Sequence, residues 1–139
     1  MSYFVVASLI FIADRLSKLL VRTNMAEGES TPLISPVLYL TYVQNKGAAF
    51  GLLQGKVLFL SALAVLCLFF VLTQWRKITD KSALVRWGVT ISLAGAVGNL
   101  VDRLRWGAVV DFLDLRIFPI FNIADMAIVC GVGLLFWEV

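Results

Sequence analysis

Apolar residues along this chain gather into four runs, each close to the length that a bilayer requires. They cover about Tyr3–Val21, Val57–Trp75, Leu84–Val101 and Ile120–Val139, and a helix needs roughly 20 such residues to cross hydrocarbon. No water is available there to satisfy backbone N–H and C=O groups, so segments of this kind form helices. The first run reads as a span rather than a cleaved signal peptide. It lacks a basic start and holds Asp14, Arg15 and Lys18 within it.

The three connections differ in character. In residues 22–56, the stretch LISPVLYLTYV (Leu33–Val43) is rich in β-branched and aromatic residues and is bounded by Pro32 and the polar QNKG. It predicts one or two short strands lying on the membrane surface. Residues 102–119 (DRLRWGAVVDFLDLRIFP) carry three aspartates and three arginines and read as a re-entrant or interfacial segment. Between the second and third runs, Trp75–Arg86 is short and basic, with Arg76, Lys77, Lys81 and Arg86 against Asp80. By the positive-inside rule it faces the cytoplasm, and both termini with it. The expected fold is therefore an all-α integral membrane protein: one domain over residues 1–139, four transmembrane helices, a small extramembrane β element and a short interfacial segment.

Composition agrees. Apolar residues make up 60% and charged ones 15%, against about 45–50% and 25% in soluble domains. The net charge of +3 is scattered, which leaves no basic footprint for nucleic acid. Cys67 and Cys130 each lie inside an apolar run and read as small buried hydrophobes rather than a disulfide or metal pair. Histidine is absent, which removes Ser-His-Asp triads, Cys-His dyads and most zinc sites. No cofactor or metal is expected.

What remains is a set of polar residues inside or beside the runs. A carboxylate at the centre of a membrane helix costs about 2.5–3.5 kcal/mol on insertion scales, so such residues are functional by default. With the loop Trp75–Arg86 inside, Asn99, Asp102 and Arg103 sit at the outer end of the third helix, and Asn122 and Asp125 in the first two turns of the fourth, after Pro119. Asp14 lies roughly 17 Å along the first helix, past the midplane toward the same side. The loop NKGAAFG (Asn45 to Gly51) leads into the outer end of the second helix. These groups share one layer. Asn99 with Asp102, and Asn122 with Asp125, are i,i+3 pairs, each placing an amide and a carboxylate on one helical face. Two carboxylates facing each other in a low-dielectric site share a proton, giving an acid and a base that together activate water.

Plainer readings compete at each position. Asp125 could form a buried ion pair with Arg103 or Lys18, Asp111 could be a solvated loop residue, and Asp114 could face headgroups. Asp102 with Arg103, and Asp14 with Lys18, read as structural ion pairs. The glycines of GNLVDR, GVG (131–133) and GAAFG read as close helix packing. Ser17 and Lys18 are no catalytic dyad, because adjacent helical residues do not face each other.

The ordered motifs ADRLSK (13–18), NKGAAFG (45–51), GNLVDRLRWGAVVDFLDL (98–115) and FPIFNIADMAI (118–128) resemble those of the lipoprotein signal peptidases, or signal peptidase II, along nearly the whole chain. The resemblance implies an aspartic endopeptidase of the bacterial inner membrane, cutting the signal peptide from a prolipoprotein just before its diacylglyceryl-modified cysteine. It implies a catalytic pair of Asp111 and Asp125. Asn45, Asn99, Asp102, Arg103 and Asn122 would support the pair and the substrate, and Asp14 would be a structural or positioning residue. It further implies a surface β-cradle at Leu33–Val43, an active site toward the outer face, and lipid-modified prolipoprotein and membrane lipids as partners of a monomer. Two departures stand out: only 14 positions separate Asp111 from Asp125, and the chain stops at Trp137-Glu138-Val139 without a charged tail. The alternatives are a small proton-coupled transporter using Asp14 and a non-catalytic scaffold for lipidated chains.

Overall fold

A computed structural model places residues 2–48 and 52–138. Ala49, Phe50 and Gly51 of the NKGAAFG loop, and Val139 of the last run, lie outside the described residues. The elements follow in the order α1 (Tyr3–Asn24), β1 (Ser30–Ile34), β2 (Leu38–Asn45), α2 (Val57–Thr73), α3 (Trp75–Thr79), α4 (Ala83–Trp106), β3 (Val109–Asp114) and α5 (Ile123–Trp137). Helix ends are set by identifiable caps. The Ser2 and Ser82 hydroxyls accept from the backbone N–H of Val5 and Val85, and Asn122 caps α5 by accepting from Asp125 N. Gly107, at φ 69°, closes α4 in the left-handed conformation that glycine tolerates best.

Those caps move the boundaries read from hydropathy. α4 continues past Val101 to Trp106 because the first residue able to end it is Gly107. α5 starts at Ile123 rather than Ile120 because Asn122 supplies its cap. α1 runs one turn further, to Asn24, and the second run divides at Gln74 into α2 and the short α3. Only α4 is both long and apolar enough to cross a membrane by composition among the described residues, while α2 and α5 are apolar but shorter. α1 has the length, with Asp14, Arg15, Lys18 and Arg22 within it.

The sheet is antiparallel, in the order β1-β2-β3. Of the one or two strands expected near Leu33–Val43, two are present, and a third comes from the segment read as re-entrant or interfacial. Val109–Asp114 is a strand paired with β2, with Val43 opposite Asp111 and Asn45 opposite Val109. Its β-branched start fits a strand, and its aspartates disguised it. The sheet rests on one end of the helices through a core of Val21, Tyr42, Val110 and Phe112, with Trp106 and Ile123 packed against it.

α4 is the central helix, with α1, α2 and α5 around it. Its contact with α5 is close because glycines face it. A Cβ on Gly88 would stand 2.8 Å from the Gly131 carbonyl oxygen, and one on Gly95 would collide with the Ala124 carbonyl. Gly133, in contrast, faces open space, so the packing expected of GVG belongs to Gly131 alone. The outward faces are apolar: Leu58, Phe69, Val129 and Phe136 are all exposed, a surface that water does not favour. Cys67 and Cys130 are exposed too, not buried as expected. When the surroundings are as apolar as the core, an apolar run does not reveal which side faces in.

Overpacking at a helix contact costs about 1–3 kcal/mol. Gly95→Ala and Gly131→Ala are therefore expected to lower the thermal midpoint in detergent, while Gly133→Ala leaves it unchanged or raises it by the helix propensity of alanine, up to about 1 kcal/mol. Thermal unfolding of the three variants beside the parent checks this.

Candidate active site

Beneath the sheet, four charged side chains meet almost out of reach of water. Lys18 Nζ lies 3.0 Å from Asp14 Oδ1 and 2.8 Å from Asp102 Oδ2, and all three side chains are at most 1% exposed. Arg15 pairs with the other oxygen of Asp102 and with Asp14 at 3.4 Å. The cluster is neutral in sum, which burial demands. Its spare lone pairs hold backbone: Asp14 Oδ1 accepts from Ala124 N at 3.0 Å, and Asp102 Oδ2 from Val110 N at 3.2 Å. One set of charges thus ties α1 and α4 to the start of α5 and to β3. Gly98 makes the room, since a Cβ there would stand 2.6 Å from Asp14 Oδ2.

Lys18 carries this framework to a second group of polar residues. Its ammonium also donates to Asn99 Oδ1 at 2.9 Å. Lysine can only donate, so Asn99 turns its carbonyl oxygen to Lys18 and its amide nitrogen outward. That nitrogen donates to Asp125 Oδ1 at 2.7 Å. The other oxygen of Asp125 accepts from Asn122 N at 3.2 Å as half of a capping box. Asp111, on β3, is held in the same way: its Oδ1 accepts from Asn122 Nδ2 at 2.6 Å and its Oδ2 from Asn45 Nδ2 at 3.0 Å. Asn122 therefore touches both carboxylates, one through its side chain and one through its backbone.

Asp111 and Asp125 line a cleft of about 210 Å³ together with Asn45, Asn99, Arg103 and Phe121. The Arg103 guanidinium faces this cleft and donates to Gly47 O at 3.4 Å. Burial, and secondly the charge of Asp125, push the Asp111 carboxyl up from 3.8 to about 7, against the pull of the Asn45 and Asn122 hydrogen bonds and of Lys18. A pair of buried carboxyls with one proton between them can both give and take a proton near neutrality. Among the described residues no group of three or more thiols and carboxylates is arranged to hold a metal ion.

Of the residues singled out in the sequence, Asp111, Asp125, Asn45, Asn99 and Arg103 line this cleft. Asn122 is fully buried behind it, bonded to both acids, and Asp14 and Asp102 lie below in the ion cluster. Asp102 pairs with Arg15 and Lys18 rather than with its neighbour Arg103. The ion pair of Asp14 with Lys18 is present. Asp125 bonds amides in place of a cation, and Asp111 is buried rather than solvated. Asp114 does not face outward: it is buried and accepts from the Thr41 hydroxyl at 2.8 Å. Lys18 and Arg15 were not among the expected site residues. The signal for them was the pairing of two cations with Asp14 inside one apolar run, which demanded a second buried acid.

Comparison with known proteins finds relatives along nearly the whole chain. The family model for signal peptidase (SPase) II matches residues 6–139. A lipoprotein signal peptidase of Moorella thermoacetica is 48% identical over 138 residues, covering 99% of this chain and 92% of the relative. One of Pelotomaculum thermopropionicum is 44% identical, covering 99% and 90%. A bacterial membrane enzyme solved by the in meso method at 2.3 Å resolution superposes with a TM-score of 0.93 at 34% identity, covering 98% of this chain and 85% of that one. Matches of this length and identity, across every motif that builds the cleft, place the chain in the signal peptidase II family.

Proposed function

We propose that the chain is an aspartic endopeptidase that removes the signal peptide from diacylglyceryl-modified prolipoproteins, with Asp111 and Asp125 as its catalytic pair. The observation that carries the assignment is the grip of Asn122 on both carboxylates at one cleft. In this reading α1, α2, α4 and α5 span the bacterial inner membrane, with both termini and the basic α3 segment cytoplasmic. The cleft then lies toward the outer face, under the sheet, and the protein acts as a monomer.

The chemistry follows from the charges. At neutral pH the pair holds one proton, in this reading on Asp111, whose carboxyl burial raises to about 7. Asp125 in its ionised form takes a proton from a water lodged between the two carboxyls. The water oxygen attacks the scissile carbonyl, and the Asp111 proton moves onto the carbonyl oxygen. Return of a proton to the leaving nitrogen splits the peptide bond, and no covalent intermediate forms. The amides of Asn45, Asn99 and Asn122 hold each carboxyl in place while leaving its charge unneutralised. A lysine or arginine in direct contact would hold both carboxyls ionised and end the sharing of a proton. Arg103, with Gly47 O, frames the cleft where the substrate backbone lies, and Asp14 and Asp102 position the framework below.

Asp111→Asn and Asp125→Asn each remove one half of the acid–base pair while keeping its size. Each is expected to lower cleavage of a lipid-modified precursor by on the order of 10²–10⁴-fold, with the fold retained in detergent. A mass-shift assay on the precursor reads this out. Full activity in either variant removes that residue from the mechanism, and binding without product in the parent protein indicates a scaffold.

The same assay has a pH dependence with a definite sign. A carboxyl raised to about 7 keeps its proton below that pH and loses it as pH rises through it, so cleavage declines above about pH 7. The Asn45 hydrogen bond pulls the Asp111 value down. Asn45→Leu removes it without admitting water, and the decline is expected to move to higher pH. A shift to lower pH contradicts the assignment of the proton to Asp111.

A further inference from the structure

A second hollow, larger than the cleft, lies at the opposite end of the bundle. It is a groove of about 610 Å³ between α1, α2 and α4, lined by Tyr3, Ala7, Phe11, Leu72, Trp75 and Ala94 among others. From Tyr3 to Phe11 it runs roughly 12 Å along α1. Its lining is almost wholly apolar, interrupted by the Ser8 and Thr90 hydroxyls, which suits a hydrocarbon chain better than a charged ligand.

The rim has the opposite character. Arg86 Nε donates to the Tyr3 hydroxyl at 3.0 Å, and the same guanidinium donates to Thr79 O at 3.0 Å. The Tyr3 ring packs against Trp87 at a tilt of 50°, with centroids 4.3 Å apart. Arg86 is thus fixed beside the mouth of the groove by two hydrogen bonds. Trp75, which lines the groove, opens α3 and is followed at once by Arg76 and Lys77, with Lys81 just beyond. None of these four cations has an ion-pair partner among the described residues. An apolar slot with Arg86 at its Tyr3 rim, and with the α3 cations following directly on its Trp75 wall, suits an amphiphile with an anionic head and a hydrocarbon tail.

We propose that this groove holds an acyl chain of a phospholipid with a net negative headgroup, its phosphate seated among Arg86 and the cations of α3. The inference rests on the membrane placement under the proposed function. A neutral lipid would fill the slot equally well but would leave the cations unmatched, so selectivity for the anionic head is its distinguishing property.

The test uses the full chain in nanodiscs containing equal amounts of phosphatidylglycerol and phosphatidylcholine, followed by native mass spectrometry of the lipids retained on stepwise delipidation. One phosphatidylglycerol is expected to be retained in preference to phosphatidylcholine. Arg86→Gln is expected to reduce that preference about fivefold, the worth of one cation near an anionic headgroup. Ala7→Trp fills the slot while leaving every cation in place, and is expected to abolish retention. Retention that survives Ala7→Trp overturns the proposal, because the basic segment alone would then be gathering lipid around the protein. Equal retention of the two lipids overturns it as well, as does displacement of the retained lipid by an apolar helical peptide with the sequence of a signal peptide core. A chain that enters nanodiscs and cleaves its precursor but retains no lipid refutes this inference alone; a chain that does not enter them refutes the membrane placement.

Discussion

Four charges beneath the sheet, three of them fully buried, hold this structure in register. Each ion taken out of water costs several kcal/mol even after relaxation, and removing one partner of a buried pair typically costs about 3–5 kcal/mol. Asp14, Arg15, Lys18 and Asp102 meet that requirement by summing to zero and by filling their lone pairs with backbone N–H groups. Those N–H groups belong to Val110 and Ala124, one residue before Asp111 and one before Asp125. The cluster thus sets the positions from which the two carboxyls project. α1, which supplies three of the four charges and no cleft carboxyl, still determines where the pair stands.

Between that charged base and the cleft comes a layer of neutral amides. The order matters, because a cation touching Asp125 or Asp111 would stabilise the doubly ionised state and separate their titrations from neutrality. Asn99 and Asn122 transmit orientation without transmitting full charge: Lys18 fixes the flip of Asn99, Asn99 fixes Asp125, and Asn122 spans both acids. The Lys18 charge still reaches Asp111 as a weaker downward pull. Burial outweighs it, which leaves the Asp111 carboxyl near 7.

The polar layer was legible in the sequence because charge in an apolar run is rare enough to be informative. Asn99, Asn122 and Asp125 could be placed by depth and by i,i+3 spacing, and the structure sets them together. The partners within the layer were less legible. Asp102 beside Arg103 suggested a local pair, but neighbours on a helix point about 100° apart and the acid turned instead toward α1. β3 escaped because its strand pattern is interrupted by Asp111 and Asp114, whose burial depends on Asn45, Asn122 and Thr41 from elsewhere in the chain. No local pattern reports such distant donors. The outward cysteines fail for a different reason, since hydropathy cannot separate the core from a lipid-facing surface.

The two ends of the bundle divide the polar residues by their chemistry. At the sheet end the charges are internal, neutral in sum and linked to backbone, so they fix geometry and leave the cleft acids free to share a proton. At the α3 end Arg76, Lys77, Lys81 and Arg86 have no acid paired to them among the described residues, so their field is directed outward. Turned inward, those cations would demand further buried acids and would rigidify the end where the helices enter. Left unmatched, they carry the orientation under the proposed topology, in which their loop is cytoplasmic and the cleft opens on the opposite side. In that topology the asymmetry that orients the protein is the same one that would place its acid pair where an exported precursor arrives.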